Sequence, residues 1–310
     1  MNPDHAEQKI PFADQVRALD TNKARFSHIL VGTDFSDNAA RALKVAISLA
    51  RIFRAKLTLI HAVSPFGLDG NGMEASREAV AANRDGDERE VDQLVEDTLG
   101  LKELTPHTFV MYGEPTHLID RISRDEEADL IVLGSHGASG LERIALGSVA
   151  ESTLRRAGCP VLIIGPQCQI ERDFFRSILI ATDLKTTGVR GAQHAADLAL
   201  QFHGDLTVLH VQSHNFLSSG ILQRLLRDHV ERKLRLVLPA DIDEFCRIKR
   251  RFELGDPAAV IIAVSREEGA SLLVVGARER ALSDHAPWST LSHIIRDAQC
   301  PVLGIRGCLN

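Results

Sequence analysis

The 310-residue chain lacks any apolar run long enough to cross a bilayer. Its first twenty residues, MNPDHAEQKIPFADQVRALD, lack the hydrophobic stretch of a secretion signal. An excess of basic charge is missing as well. The net charge is −6 and the isoelectric point is near 6.1, which argues against DNA or RNA as a partner. The five cysteines (Cys159, Cys168, Cys246, Cys300 and Cys308) are odd in number, widely spaced and without a CxxC pair. That pattern suits neither a disulfide framework nor a zinc ribbon and fits a reducing compartment. These absences predict a cytoplasmic chain with no membrane and no nucleic-acid partner. What is present is an ordinary globular balance, 44 % apolar and 25 % charged, in a chain long enough for two medium domains.

The chain repeats itself. FSHILVGTDFS in the first half answers FRSILIATDLK in the second, and Thr33 and Thr182 lie 149 residues apart. LTLIHAV answers LTVLHVQ at the same offset, carrying His61 and His210. YGEP then answers LGDP, and ADLIVLG answers ASLLVVG, both at an offset of 142. AGCPVLIIG answers AQCPVLGIR at 141. Ordered agreement over five segments means two copies of one domain. The resulting organisation is a tail over 1–24, a first domain over 25–165, a linker over 166–176 and a second domain over 177–310. The fall in offset puts about seven extra residues between the second and third strands of the first copy. There the Gly-, Asp- and Asn-rich segment 64–88 reads as a long loop.

Within the first copy, short apolar runs alternate with amphipathic ones. Strands are predicted at 29–31, 56–63, 108–112, 129–133 and 160–164, with helices at 38–53, 89–104, 116–126 and 148–157. Strands without strict alternation, joined by crossover helices, indicate a parallel sheet covered on both faces. Each copy should hold five strands in a Rossmann-like α/β sandwich. Both copies end in an apolar strand after Cys-Pro. An exposed edge of that kind invites pairing, so the two halves should join as an internal dimer.

Four glycines fall in the stretch GSHGASGLERIALGS, residues 134–148, directly after the fourth predicted strand. Ligands of open α/β sheets gather at such strand ends. Gly134 and Gly137 permit tight turns and close approach of a ligand to bare backbone. Gly147 precedes a helix, so the first amides there, with the Ser148 hydroxyl, form a seat for an anion such as a phosphate. Arg143 and His136 are placed to turn toward it. The alternative is purely structural: Ser148 and Glu151 spell a capping box, S-x-x-E. The loop is neither a Walker A loop nor a GxGxxG dinucleotide fingerprint. Asp34 is a candidate ligand, with an N-cap role beside Ser36 as its alternative. His61, on a buried strand, reads as a satisfied core histidine.

The pattern Gly134-x2-Gly137-x9-Gly147-Ser148, with the opening ILVGTD, resembles the nucleotide motif of the ATP-binding branch of the universal stress protein family. Both copies resemble that domain from first strand to last. The resemblance implies tandem α/β domains akin to adenine-nucleotide alpha hydrolases, each with a five-stranded parallel sheet of order 3-2-1-4-5 and helices on both faces. It also implies pairing through the last strand and allows a further homodimer. It implies adenine nucleotide as the ligand: ATP, alone or with Mg2+. Gly32, Thr33 and Asp34 would then contact the nucleoside, Ala62 the base, and Leu133 and Gly134 the ribose. Gly137, Gly147, Ser148 and Val149 would hold the phosphates, with Arg143 nearby. The expected role is a regulatory or stress-resistance one.

The second copy departs from the motif. At the offset of 142, Glu279 stands for Gly137 and Ser289 for Gly147, while Thr290 is left to cap the helix. A carboxylate where a phosphate should pass is repulsive, so one nucleotide per chain, in the first copy, is expected. Arg278 and Arg280 leave room for a smaller anion, and Trp288 adds an aromatic surface. His194, His203, His210 and His214 lack a ligand spacing that suggests metal. No residue set specifies catalysis. A slow ATPase or phosphotransfer enzyme, and a structural pseudo-dimer without nucleotide, stay open as alternatives.

Overall fold

The computed structural model describes residues 26–63, 77–137, 146–171, 173–213, 220–239, 242–277 and 286–306. The tail over 1–24, part of the 64–88 segment, Arg143 and the second-copy loop around Arg278, Glu279 and Arg280 lie outside these residues.

Ten strands alternate with eight helices among the described residues. The first copy runs β1 His28–Thr33, α1 Asp37–Phe53, β2 Lys56–Val63, α2 Arg77–Asp97, β3 His107–Tyr112, α3 Pro115–Asp125, β4 Leu130–Gly134, α4 Ser148–Arg156 and β5 Val161–Ile164. The second runs β6 Ser177–Ala181, α5 Thr186–Phe202, β7 Asp205–Gln212, α6 Gly220–Leu236, β8 Ile248–Leu254, α7 Pro257–Glu267, β9 Leu272–Ala277, α8 Ala286–Asp297 and β10 Val302–Arg306.

The strands form one sheet of order β3-β2-β1-β4-β5-β10-β9-β6-β7-β8. Read from its outer edge inward, each half has the order 3-2-1-4-5, and neighbours within a half are parallel. The halves join through an antiparallel pair, Val302 opposite Ile163, Leu303 opposite Leu162 and Gly304 opposite Val161. The two apolar last strands therefore cover each other's edge, as the sequence predicts.

Alternate strand residues feed two cores. Ile29, Val31, Leu303 and Ile305 face the layer of α1, α2, α5 and α6, while Leu30, Ile163 and Val302 face that of α3, α4, α7 and α8. Both cores run continuously through the seam between the copies. Each fully buried Leu or Ile contributes roughly 1.5–3 kcal/mol.

Helix α2 departs from the sequence reading at both ends, closing at Asp97 rather than 104, and α8 departs at its start. Helix α2 starts at Arg77 and includes Gly86, where a loop is predicted to 88. Val91 is buried, and Leu94 and Val95 pack on the first core, so packing overrides the weak propensity of this segment. Helix α8 starts at Ala286, so Ser289 and Thr290 lie inside it, and Thr290 does not cap it. Pro287, in the first turn, was the available start signal.

Candidate functional site

The strand order reverses between β1 and β4, and at their carboxyl ends the sheet opens into a cavity of about 650 Å³. That position is where open α/β sheets hold ligands, and the volume lies within the roughly 300–1,000 Å³ of small-molecule sites.

The turn after β1 supplies one wall. Thr33 is buried, and its hydroxyl accepts from the Phe35 amide at 3.2 Å. Phe35 adopts a left-handed backbone, φ 60°, and its ring lies 4.5 Å from that of His61. His61 is buried and donates through Nδ1 to the Thr33 carbonyl at 2.9 Å, so it acts as a core brace for the turn. His210 repeats the bond to Thr182 in the second copy at 2.8 Å, and burial there lowers its pKa. Asp34 serves the following helix as well as the cavity. Its Oδ1 accepts from Ser36 N at 3.1 Å and Ser36 Oγ at 2.6 Å, and Ser36 in turn caps α1 by accepting from Ala39 N. The capping role weighed for Asp34 thus belongs to Ser36, with Asp34 as its support.

The glycine loop supplies the opposite wall. A side chain on Gly134 would come within 2.9 Å of the Asn38 backbone, which fixes how closely α1 approaches β4. Gly137 sits against Asp34: a Cβ there would lie 2.5 Å from Oδ2. Gly147 donates its amide to the Ser135 carbonyl at 2.8 Å, and a Cβ on it would meet that same oxygen at 2.9 Å. Close backbone approach, rather than ligand space alone, therefore demands glycine at 147.

Gly147 is the N-cap of α4, and among the described residues no side-chain hydrogen bond caps that helix. Ser148 is its first helical residue, and Glu151 pairs with Arg155 at 2.6 Å instead of reaching back. The S-x-x-E capping box is not formed. Ser148, Val149 and Ala150 line the cavity, so the uncapped helix start opens onto it. Its amides and the positive end of the helix dipole suit an anion. Among the described lining residues there is one carboxylate, Asp34, one imidazole, His136, and neither lysine nor arginine.

A scan against family models matches the universal stress protein family twice, over residues 25–165 and 174–306. The chain belongs to the universal stress protein family. It is 36 % identical over 143 residues to a universal stress protein of Methanocaldococcus jannaschii, covering 45 % of this chain and 82 % of that one. Another, from Mycolicibacterium smegmatis, aligns along both copies: 25 % identity over 291 residues, 90 % of this chain and 96 % of its own. A solved universal stress protein from Archaeoglobus fulgidus superposes with a TM-score of 0.69 over 91 % of this chain and 98 % of that one. At 21 % identity that likeness speaks for the tandem fold.

In this universal stress protein, eleven of the residues singled out from sequence line the same cavity: Gly32, Thr33, Asp34, Ala62, Leu133, Gly134, His136, Gly137, Gly147, Ser148 and Val149. Arg143 lies outside the described residues. Sequence reasoning passed over Ile60, Pro115, Ile119 and Ser135. The first three line the cavity with apolar surface, and only their place in an apolar strand or helix hinted at it. Ser135 is fully buried, and its hydroxyl shares a 2.9 Å hydrogen bond with His136 Nδ1. His136 Nε2 is buried without a hydrogen-bond partner among the described residues. Among the described residues no group of three or more His, Cys, Asp or Glu could hold a metal, and no helix is long and apolar enough to cross a membrane.

Proposed function

We propose that this universal stress protein binds one adenine nucleotide, ATP, in its first copy, and that the bound nucleotide serves a regulatory or stress-resistance role. The observation that carries this reading is the uncapped start of α4 opening on the cavity. A triphosphate there would accept from the Ser148–Ala150 amides and the Ser148 hydroxyl, an arrangement that needs no cationic side chain. The apolar surface of Ile60, Ala62, Ile119 and Leu133 offers a flat base its burial, and Asp34 offers an acceptor for hydroxyl or amino donors. Mg2+ would enter with the nucleotide. Asp34, as the single carboxylate in the described lining, leaves the phosphates to supply most of its ligands.

Mass spectrometry of ligand released from freshly purified, denatured protein tests the reading. It predicts an adenine nucleotide, and added ATP should bind to protein stripped of ligand. Protein that releases none and fails to bind added ATP would refute it.

A further inference from the structure

We infer that the second copy completes the first copy's site, with Ser292 of α8 as a positioning residue for its phosphate end. The inference rests on the nucleotide reading above. Leu146 and Gly147 lead into α4, and both amides are tied. Gly147 donates within its own copy, to the Ser135 carbonyl at 2.8 Å. Leu146 donates to the hydroxyl of Ser292 at 3.1 Å, across 146 residues of sequence and the seam between the copies. The Leu146 side chain is buried in the same apolar cluster as Leu291, Ile294 and Ile295 of α8. The last turn of the glycine loop is therefore clamped on one side by each copy.

This brace runs one way. Helices α4 and α8 end alike: Ala157 donates to the Thr153 carbonyl and Ala298 to the Ile294 carbonyl, positions 141 apart. In that register Ser292 corresponds to Glu151, and Leu146 to Pro287. Proline has no amide hydrogen to donate, and Glu151 is engaged with Arg155. The first copy cannot return the bond. The copy that departs from the glycine motif is thus the one that supports the loop of the other.

Fixing Leu146 pre-orders the amides that follow it, which lowers the ordering cost of binding. Linkage makes the effect mutual: whatever tightens the α4 start must also steady α8. Occupancy of the first copy is in this way communicated to the second.

Three full-length chains test this: parent, Ser292→Ala and Ser292→Thr. Without nucleotide, Ser292→Ala should speed amide hydrogen exchange at Leu146, and Ser292→Thr should restore the parent rate. In ATP titrations Ser292→Ala should weaken affinity roughly three- to tenfold, the span of one neutral hydrogen bond, with Ser292→Thr close to the parent. Melting temperatures should stay close together, so lost affinity is not lost fold. In the parent, ATP should slow exchange in α8. Unchanged exchange at Leu146 in Ser292→Ala would overturn the brace. Faster exchange with undiminished ATP affinity, or α8 exchange indifferent to ATP in the parent, would overturn its service to the site. A parent that binds no ATP at all would instead count against the nucleotide reading, while the Leu146 exchange rates would still decide the brace.

Discussion

Ser148 and Glu151 show how one pair of residues separates two accounts of the same loop. As a capping box they would stabilise α4, and removing either would cost stability. The structure gives the cap to Gly147 and sends Glu151 to Arg155. Ser148→Ala should therefore move the melting temperature little, as surface substitutions do, yet weaken ATP binding by one to two decades. That loss corresponds to about 1.5–3 kcal/mol for a hydrogen bond to a charged oxygen. Glu151→Ala should lose about 0.3–0.5 kcal/mol from its i,i+4 pair and leave affinity alone. Calorimetry and thermal melts on the two variants check both halves. A Ser148→Ala chain that melts markedly lower while binding ATP as the parent does would restore the capping account. Gly147 is a poorer probe, since any side chain there strikes the Ser135 carbonyl and shifts the loop itself.

Element by element, the apolar periodicity of the strands and of α1 was legible because burial imposes it. Strand β2 runs over the predicted 56–63, and α1 starts one residue before its expected position. The failures lie where local composition and tertiary packing disagree. Helix α2 contains Asn83, Asp85 and Gly86, all of low helix propensity, and only its packing through Val91 gives it away. The left-handed turn at Phe35 carries no sequence signal, because the residue is not one that favours such backbone. Helix α5 holds a consequence of burial that is open to test. Burial lifts the Asp197 carboxyl from 3.8 to about 6, so the folded chain holds its proton where the unfolded chain has released it. That costs stability as pH rises from about 4 to 6, and the whole cost is present above about pH 6. Asp197→Asn should raise the melting temperature near neutral pH, and the gain should vanish near pH 4. His194, on the same helix, is pushed below its ordinary value of 6.5 by burial. It works in the other direction: the unfolded chain binds the extra proton, so stability falls as pH drops below about 6.5. A pH series of melts on both Asp197→Asn and the parent separates the two effects.

At the scale of the molecule, the repeat in the sequence becomes a ten-stranded sheet joined at three residue pairs. Duplication and the edge-strand argument made that joint readable, whereas the hydrogen bond from Leu146 to Ser292 depends on a distance no motif encodes. Both apolar clusters cross the seam, so the halves should unfold together. Leu303→Ala, which empties part of the seam, should cost about 2–5 kcal/mol and lower a single transition rather than split it. Two separate transitions by calorimetry would mean that the halves are independent. The central claim is that one copy binds and the other supports it. Titration calorimetry of ligand-free, full-length chain with ATP tests this most directly. The account predicts one ATP per chain, weakened by Ser148→Ala, and a stoichiometry of two, or no binding, would contradict it.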